Sequence, residues 1–327
     1  MSIIEVKNLS KNYEYYRKEK GIKGSLKSFF YREKLLASAI KDISFSIGEG
    51  ELVGFLGPNG AGKTTTLKIL SGILYPSAGE ATVLGFTPSR REATYQKQFS
   101  LVMGQKNQLI SNLPAMESFI INKEIYGISD SEFKKTLDEL VGLFNIGSFL
   151  DISVKKLSLG QRMKCELVAA LLHKPKVFFL DEPTIGLDVV AQKNIRDFLK
   201  TYNEEKKTTI ILTSHYMEDI RELCQRVIII NLGVIAYDGR LDDLIKQYVR
   251  HKLLTVTFSG KGILRRDIEK FGEIEDFSAN SCTIKTSRSD AKSVAVALLS
   301  SSLPVDDITI GEESLDDVIR HIFGEGR

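Results

Sequence analysis

The run FLGPNGAGKTT, residues 55–65, holds the residue types that bind phosphate. Gly57, Gly62, Lys63 and Thr64 stand at the spacing G-x-x-x-x-G-K-[ST], with Pro58, Asn59, Gly60 and Ala61 between them and Thr65 just beyond. In such a loop backbone N–H groups wrap the phosphates, the lysine reaches the outer ones, and the threonine hydroxyl holds Mg²⁺. The apolar run ELVGFL precedes the loop and the helical KTTTLKIL follows it, so a helix N-terminus adds its positive dipole end. A glycine-rich turn that merely precedes a helix is the bland reading, and the flanking elements weigh against it. Farther along, KVFFLDEPT puts Asp181 and Glu182 at the end of an apolar strand. Asp181 suits the shell of a bound Mg²⁺, and Glu182 is placed to polarise a water attacking a γ-phosphate. Alone, two acids ending a strand read equally well as a turn; beside the loop they read as chemistry. The pair of motifs implies an NTPase without saying which kind, because switches, motors and kinases share them.

A second, weaker phosphate mouth lies at LSLGQR, residues 157–162. Ser158 is a good N-cap for the helix carrying Met163–Leu172. Gly160 lets a backbone approach a ligand closely. An ordinary helix start would explain Ser158 and little else.

These residues need a frame. Short β-type runs alternate with helical ones through most of the chain. Strands are expected at Ile3–Val6, Ile43–Ile47, Leu52–Leu56, Ser100–Met103, Val177–Leu180, Thr208–Leu212 and Val227–Ile230. Runs such as VFFL and VIII suit strands buried on both faces. Helical periodicity is clearest at Lys63–Leu70, Ser131–Phe144, Met163–Leu172, Val189–Thr201 and Tyr216–Cys224. The alternation predicts a largely parallel α/β core. Two stretches depart from it. Residues 14–38 carry seven Lys/Arg against three Glu, interleaved with aromatics, and look inserted between the first two strands. After about Tyr248 the order becomes β-α-β-β-α-β with a last helix, a small α+β appendix of ferredoxin-like pattern.

The bulk numbers bound the rest. The 327 residues, 43% hydrophobic and 27% charged, make one large or two smaller domains. A net charge of +3 is too balanced to argue for a nucleic-acid binder. Cys165, Cys224 and Cys282 are odd in number and lack C-x-x-C spacing, so they read as reduced thiols of an intracellular chain. No stretch approaches the roughly 18 apolar residues of a membrane span, and the start lacks a secretory pattern. The expectation is a chain that stays inside the cell and can dock on something in the membrane.

LSLGQ resembles the LSGGQ signature of the ATP-binding cassette (ABC) ATPases, with Leu159 in place of the first glycine. The resemblance covers residues 1 to about 245. It implies a P-loop NTPase cassette of three parts: a RecA-like core, an antiparallel β subdomain and a helical subdomain at about 106–172. Residues 246–327 form the accessory α+β domain. The signature residues Ser158, Gly160 and Gln161 would close over ATP held by another subunit, so the second mouth serves a partner's nucleotide. One loop and one signature per chain imply a dimer of cassettes, most simply a homodimer. Gln105, in LVMGQKNQL, matches the loop glutamine that senses Mg²⁺ and links to the transmembrane partner; Gln108 is a nearby competitor. Gly186, Leu187 and Asp188 match the loop that contacts the opposite subunit. His215, in TTIILTSHYMED, matches the switch histidine beside the γ-phosphate. Tyr13 fits the aromatic that stacks on adenine, with Tyr15, Tyr16, Phe30 and Tyr31 as alternatives. His173, His251 and His321 have no such context.

The resemblance carries ATP, Mg²⁺ and catalysis by Glu182 and His215. It favours a transporter subunit over a soluble family member working on ribosomes or nucleic acid, because the chain has neither a second cassette nor a long coiled coil. GPNGAGKTTTLKILSG, LGF after the next strand, LVMGQKNQL and a tail ending SLDDVIRHIF are similar to exporter subunits that pair with separate ABC-2 permeases. Importer ATPases are the runner-up, and their usual β-barrel appendix does not match. Such a subunit works peripherally at the cytoplasmic face of the cell membrane, and insert 14–38 suggests contact with anionic lipid headgroups.

Overall fold

The computed structural model describes residues 2–16, 34–248, 251–260, 263–312 and 315–324. They divide into two compact units, Met1–Arg240 and Leu241–Arg327.

The first unit is built on a six-stranded sheet. Its strands are β3 (Leu52–Leu56), β5 (Phe99–Met103), β6 (Val177–Asp181), β7 (Thr209–Thr213), β8 (Arg226–Asn231) and β9 (Val234–Arg240), in the order β5-β6-β7-β3-β8-β9. All neighbours are parallel except β9, which pairs antiparallel with β8. Every residue of β6 and β7 is buried, as continuous apolar strands covered on both faces must be. β9, at the edge, alternates between exposed and half-buried.

A three-stranded antiparallel sheet, β2-β1-β4, lies beside it, formed by β1 (Ser2–Tyr16), β2 (Lys34–Gly48) and β4 (Ala78–Val83). β1 and β2 are far longer than the four- and five-residue runs the sequence suggests. Polar Asn8, Lys11 and Asn12 interrupt the apolar alternation, yet the pairing continues through register shifts to Tyr16 opposite Lys34. The shift between Val6 and Leu9 lets Ile4, Val6 and Leu9 all face the core, although their spacing breaks parity. Glu14–Tyr16 and 34–38, which the sequence assigns to the insert, are therefore strand residues. The lysines behind the lipid expectation (Lys18, Lys20, Lys23 and Lys27), with Phe30 and Tyr31, lie outside the described residues. β4 escapes sequence detection because AGEATV has little apolar alternation.

Helices fill the connections. α1 (Lys63–Leu70) follows β3. α2 (Ala115–Tyr126), α3 (Asp130–Phe144) and α4 (Leu159–Leu171) make the helical region, in which α2 and α3 both pack on α4. α5 (Val189–Lys206) and α6 (Met217–Leu223) follow β6 and β7. α4 starts with a capping box: Ser158 Oγ accepts from Gln161 N (3.2 Å), and Gln161 Oε1 accepts from Ser158 N (2.9 Å). Asp188 caps α5, accepting from Ala191 N at 2.8 Å.

In the second unit, β10 (His251–Phe258), β11 (Glu273–Phe277), β12 (Ser281–Ser287) and β13 (Val305–Glu312) form an antiparallel sheet, ordered β11-β12-β10-β13. With α8 (Arg265–Ile268) and α9 (Ala291–Leu299) in the crossovers, this is the ferredoxin-like arrangement. α7 (Leu241–Tyr248) and α10 (Leu315–Gly324) flank it. Leu254, Val256, Ile284 and Leu298 make its core. The three cysteines are buried, and burial pushes the Cys165 thiol up to about 12 and Cys282 to about 11, which keeps them protonated.

Candidate active site

The chemistry-bearing residues collect at the carboxyl ends of parallel strands. Gly57 follows β3, Gln105 lies just past β5, Asp181 ends β6, and His215 follows β7. That edge is where open α/β sheets hold ligands.

Between β3 and α1 the chain bends into a cradle. Gly62 has φ +114°, and a Cβ there would sit 2.6 Å from the Ala39 carbonyl. No side chain fits this position. Gly62→Ala is accordingly expected to raise the Kd for ATP at least tenfold, or to unseat the loop altogether; a titration with a fluorescent ATP analogue measures it. Lys63, almost fully buried, folds back so that its Nζ donates to Gly57 O (2.6 Å) and Pro58 O (3.3 Å). Burial pulls its pKa down, while Glu182 and Asp181 pull the other way. Asn59 and Gly60 are exposed at the tip, and Ala61 is buried beneath it.

Thr64 Oγ1 donates to both oxygens of Asp181, at 2.8 and 3.1 Å. Among the described residues no group of three or more His, Cys, Asp or Glu forms a metal cage. One carboxylate, one hydroxyl and a phosphate cradle are the donor set that suits Mg²⁺, which takes few protein ligands and completes its shell with phosphate oxygens and water. The residues fit that ion.

Glu182 is the hub. Its Oε1 accepts from His215 Nε2 (2.7 Å) and its Oε2 from Gln105 Nε2 (3.3 Å). A carboxylate only accepts, so His215 carries its hydrogen on Nε2. Glu182 has φ +56°, a left-handed conformation uncommon outside glycine. Two contacts enforce it. Its N–H donates to Thr213 Oγ1 (3.0 Å) and Thr213 O (3.1 Å). Its carbonyl lies 2.1 Å from where a Cβ on Gly104 would stand, so only glycine fits there. Gln108 turns away, donating to Leu101 O at 2.6 Å.

The other mouth is a cluster of its own. Ser158 and Gln161 are engaged with each other in the cap, Gly160 lies against Ala191, and Leu159 reaches Gly186. Asp188 caps the neighbouring helix. Tyr13 is 39% exposed on the β1–β2 ribbon, with Lys11 Nζ 5.3 Å from its ring centre. It pairs with Ala37, two residues from Ala39, whose carbonyl abuts Gly62. Tyr15 shares its face of the strand, and Tyr16 points to the other.

Sequence reasoning missed the groups that hold this arrangement. Thr213 Oγ1 donates to Asp181 Oδ1 (2.8 Å) while accepting from Glu182 N. Behind it, buried Asp219 accepts from Thr184 (2.5 Å), Ser214 (2.7 Å) and Arg196 (3.0 Å). Thr184 lies two residues past Glu182, Ser214 adjoins His215, and Arg196 rides on the helix capped by Asp188. The one available signal was the Thr-Ser pair closing an otherwise apolar strand in IILTSH.

These contacts define a P-loop site built to hydrolyse ATP. The chain belongs to the ABC transporter family, whose profile matches residues 40–185. The ABC transporter ATP-binding protein NatA of Bacillus subtilis is 35% identical over 215 residues, covering 66% of this chain and 87% of that one. The linearmycin resistance ATP-binding protein LnrL of the same organism is 34% identical, covering 68% and 70%. The bacitracin transport ATP-binding protein BcrA of Bacillus licheniformis is 26% identical but covers 88% of this chain and 93% of its own. Among solved structures, a dimeric ATP-binding cassette, MJ0796, in a post-hydrolysis state bound to ADP and Pi superposes with a TM-score of 0.60. It is 25% identical and covers 73% of this chain and 98% of its own. This chain is thus an ATPase subunit of an ATP-powered transporter.

Proposed function

We propose that the chain drives export through a separate ABC-2-type permease, as a head-to-tail pair of cassettes at the cytoplasmic face of the membrane. The observation that carries this is the division of labour within one chain. Lys63, Thr64, Asp181, Glu182, Gln105 and His215 converge on one phosphate position, while Ser158 and Gly160 form a second helix mouth that these groups do not use. The names of LnrL (linearmycin resistance) and BcrA (bacitracin transport), and the dimeric MJ0796 structure, support the reading. Among the described residues no helix is long and apolar enough to cross a membrane.

In this reading Tyr13 stacks on adenine, the residues 57–65 hold the phosphates, and Thr64, Asp181 and Gln105 hold Mg²⁺. When bound, the ion neutralises charge on the phosphates. Glu182 takes the proton of the attacking water. His215 Nε2 and Gln105 Nε2 keep the Glu182 carboxylate aimed, and Ser158 and Gly160 of the second copy close on the γ-phosphate. A groove of about 510 Å³, lined by Phe99, Leu101, Gln108, Asn122, Ile125 and Tyr126, is the seat for a cytoplasmic helix of the permease. Ile125 is 66% exposed at its rim.

Co-purification tests this. The tagged Glu182→Gln chain, extracted in mild detergent with ATP and Mg²⁺, is expected to bring down a multi-spanning membrane protein. Recovery of only ribosomal or nucleic-acid partners would overturn the transport reading. A permease that takes its substrate from an extracellular binding protein would replace export with import.

A further inference from the structure

The helix that begins at Ser158 buries a carboxylate in its apolar core. Glu166 is 2% exposed, between Cys165 and Leu167, both fully buried. Burying an anion costs several kcal/mol unless hydrogen bonds replace its water. Here they do. Oε1 accepts from the backbone N–H of Gln108 (2.9 Å) and of Leu109 (3.3 Å), and Oε2 shares the Gln108 N–H at 3.1 Å. Burial pushes the Glu166 carboxyl up, and those donors, with Arg162, oppose the push. The next N–H along, that of Ile110, goes to Ser118 Oγ at 3.1 Å. Consecutive backbone donors just past Gln105 are thus fixed by side chains, and the one from α4 is Glu166.

A Leu would be the simplest occupant of such a helix position. It would leave the Gln108 and Leu109 N–H groups without their acceptor, at about 1–3 kcal/mol each when buried. The carboxylate therefore earns its place through what it ties together. Gln108 lies three residues past Gln105, and Glu166 lies eight past Ser158. Eight residues of helix span about 12 Å of rigid rod. We propose that Glu166 is a positioning residue that clasps the segment behind Gln105 to the helix behind Ser158. Occupancy of this chain's own phosphate loop then sets the pose of the mouth it offers to a partner's nucleotide. The inference rests on the roles given above to Gln105 and Ser158.

Amide hydrogen exchange on the full chain, dilute enough to be monomeric, tests the clasp with and without AMP-PNP and Mg²⁺. In the unaltered chain the analogue is expected to slow exchange at residues 57–65 and also at 158–165. In Glu166→Leu the slowing at 57–65 persists, while that at 158–165 shrinks by about fivefold or more, the usual scale of coupling between sites. Glu166→Gln, which keeps one acceptor oxygen, falls between the two. A merely structural contact would raise exchange along α4 equally in both conditions and leave the nucleotide-dependent difference unchanged; that result overturns the proposal. So does an unaltered chain that responds only at 57–65. If Glu166→Leu does not fold, Glu166→Gln with the full response at 158–165 overturns it alone. Absence of slowing at 57–65 in the unaltered chain would instead sink the nucleotide assignment itself, and the clasp with it.

Discussion

Replacing Glu182 by glutamine is expected to cut ATP turnover by about 10²- to 10⁴-fold while leaving nucleotide binding within a few-fold of the unaltered chain, the range attached to losing a general base. The geometry argues for so large and so selective an effect. The Glu182 side chain is held by His215 Nε2 and Gln105 Nε2, both donors, and reaches Lys63 of the phosphate loop through its charge alone. An amide in its place can accept from only one of them. It also cannot take a proton from water. The backbone at 182 keeps its left-handed turn, because Thr213 and Gly104 enforce that turn without using the side chain. Steady-state hydrolysis and equilibrium ATP binding, measured side by side, check the split. Hydrolysis close to that of the unaltered chain would remove Glu182 as the base. Equal losses in binding and turnover would make it a structural residue instead.

Asp219→Ala is expected to lower the free energy of unfolding by about 3–5 kcal/mol, because it strands a buried charge. Arg196 is 2% exposed, and its guanidinium reaches Asp219 at 3.0 Å. Only the part-exposed Glu222 at 2.8 Å and Glu218 at 3.6 Å remain to it, and Thr184 and Ser214 lose their shared acceptor. Each of those hydroxyls fixes a segment that carries a reacting group, so activity should fall further than stability alone would require. Urea unfolding measures the loss. The double variant Arg196→Met, Asp219→Ala should recover a large part of it, since the stranded charge is gone. A single variant within 1 kcal/mol of the parent would show that the pair contributes little.

How much of this the sequence discloses depends on the range of the interaction. A phosphate loop is read by consecutive backbone amides, so its glycines and lysine must stand at fixed spacing and are visible at once. Asp181 and Glu182 show for the same reason: a strand end marks them. Thr213, Gly104, Asp219, Arg196 and Glu166 work across long sequence separations, and nothing local distinguishes them. Arg196 in NIRDFLK and Glu166 in KCELVAA look like solvated helix positions until packing turns them inward. The ribbon β1–β2 was underestimated because bulges restore burial where alternation fails. The second unit was the easier case, since its central strands β10 and β12 bury alternate residues on one face. The choice between Gln105 and Gln108 could not be made from spacing; it turns on which amide reaches Glu182.

The position of β3 also governs when the molecule can first be assembled. This strand delivers the phosphate loop, yet both of its sheet neighbours come from far later in the chain: Leu52 pairs with Ile210 and Val53 with Arg226. During synthesis Lys63 leaves the ribosome on the order of ten seconds or more before those partners exist, at about 5–20 residues per second. Until then the loop has no walls, and its strand is an unpaired apolar edge for a chaperone to cover. Nascent chains arrested before β7 should therefore fail to retain ATP, and competence should arrive abruptly once β8 has emerged.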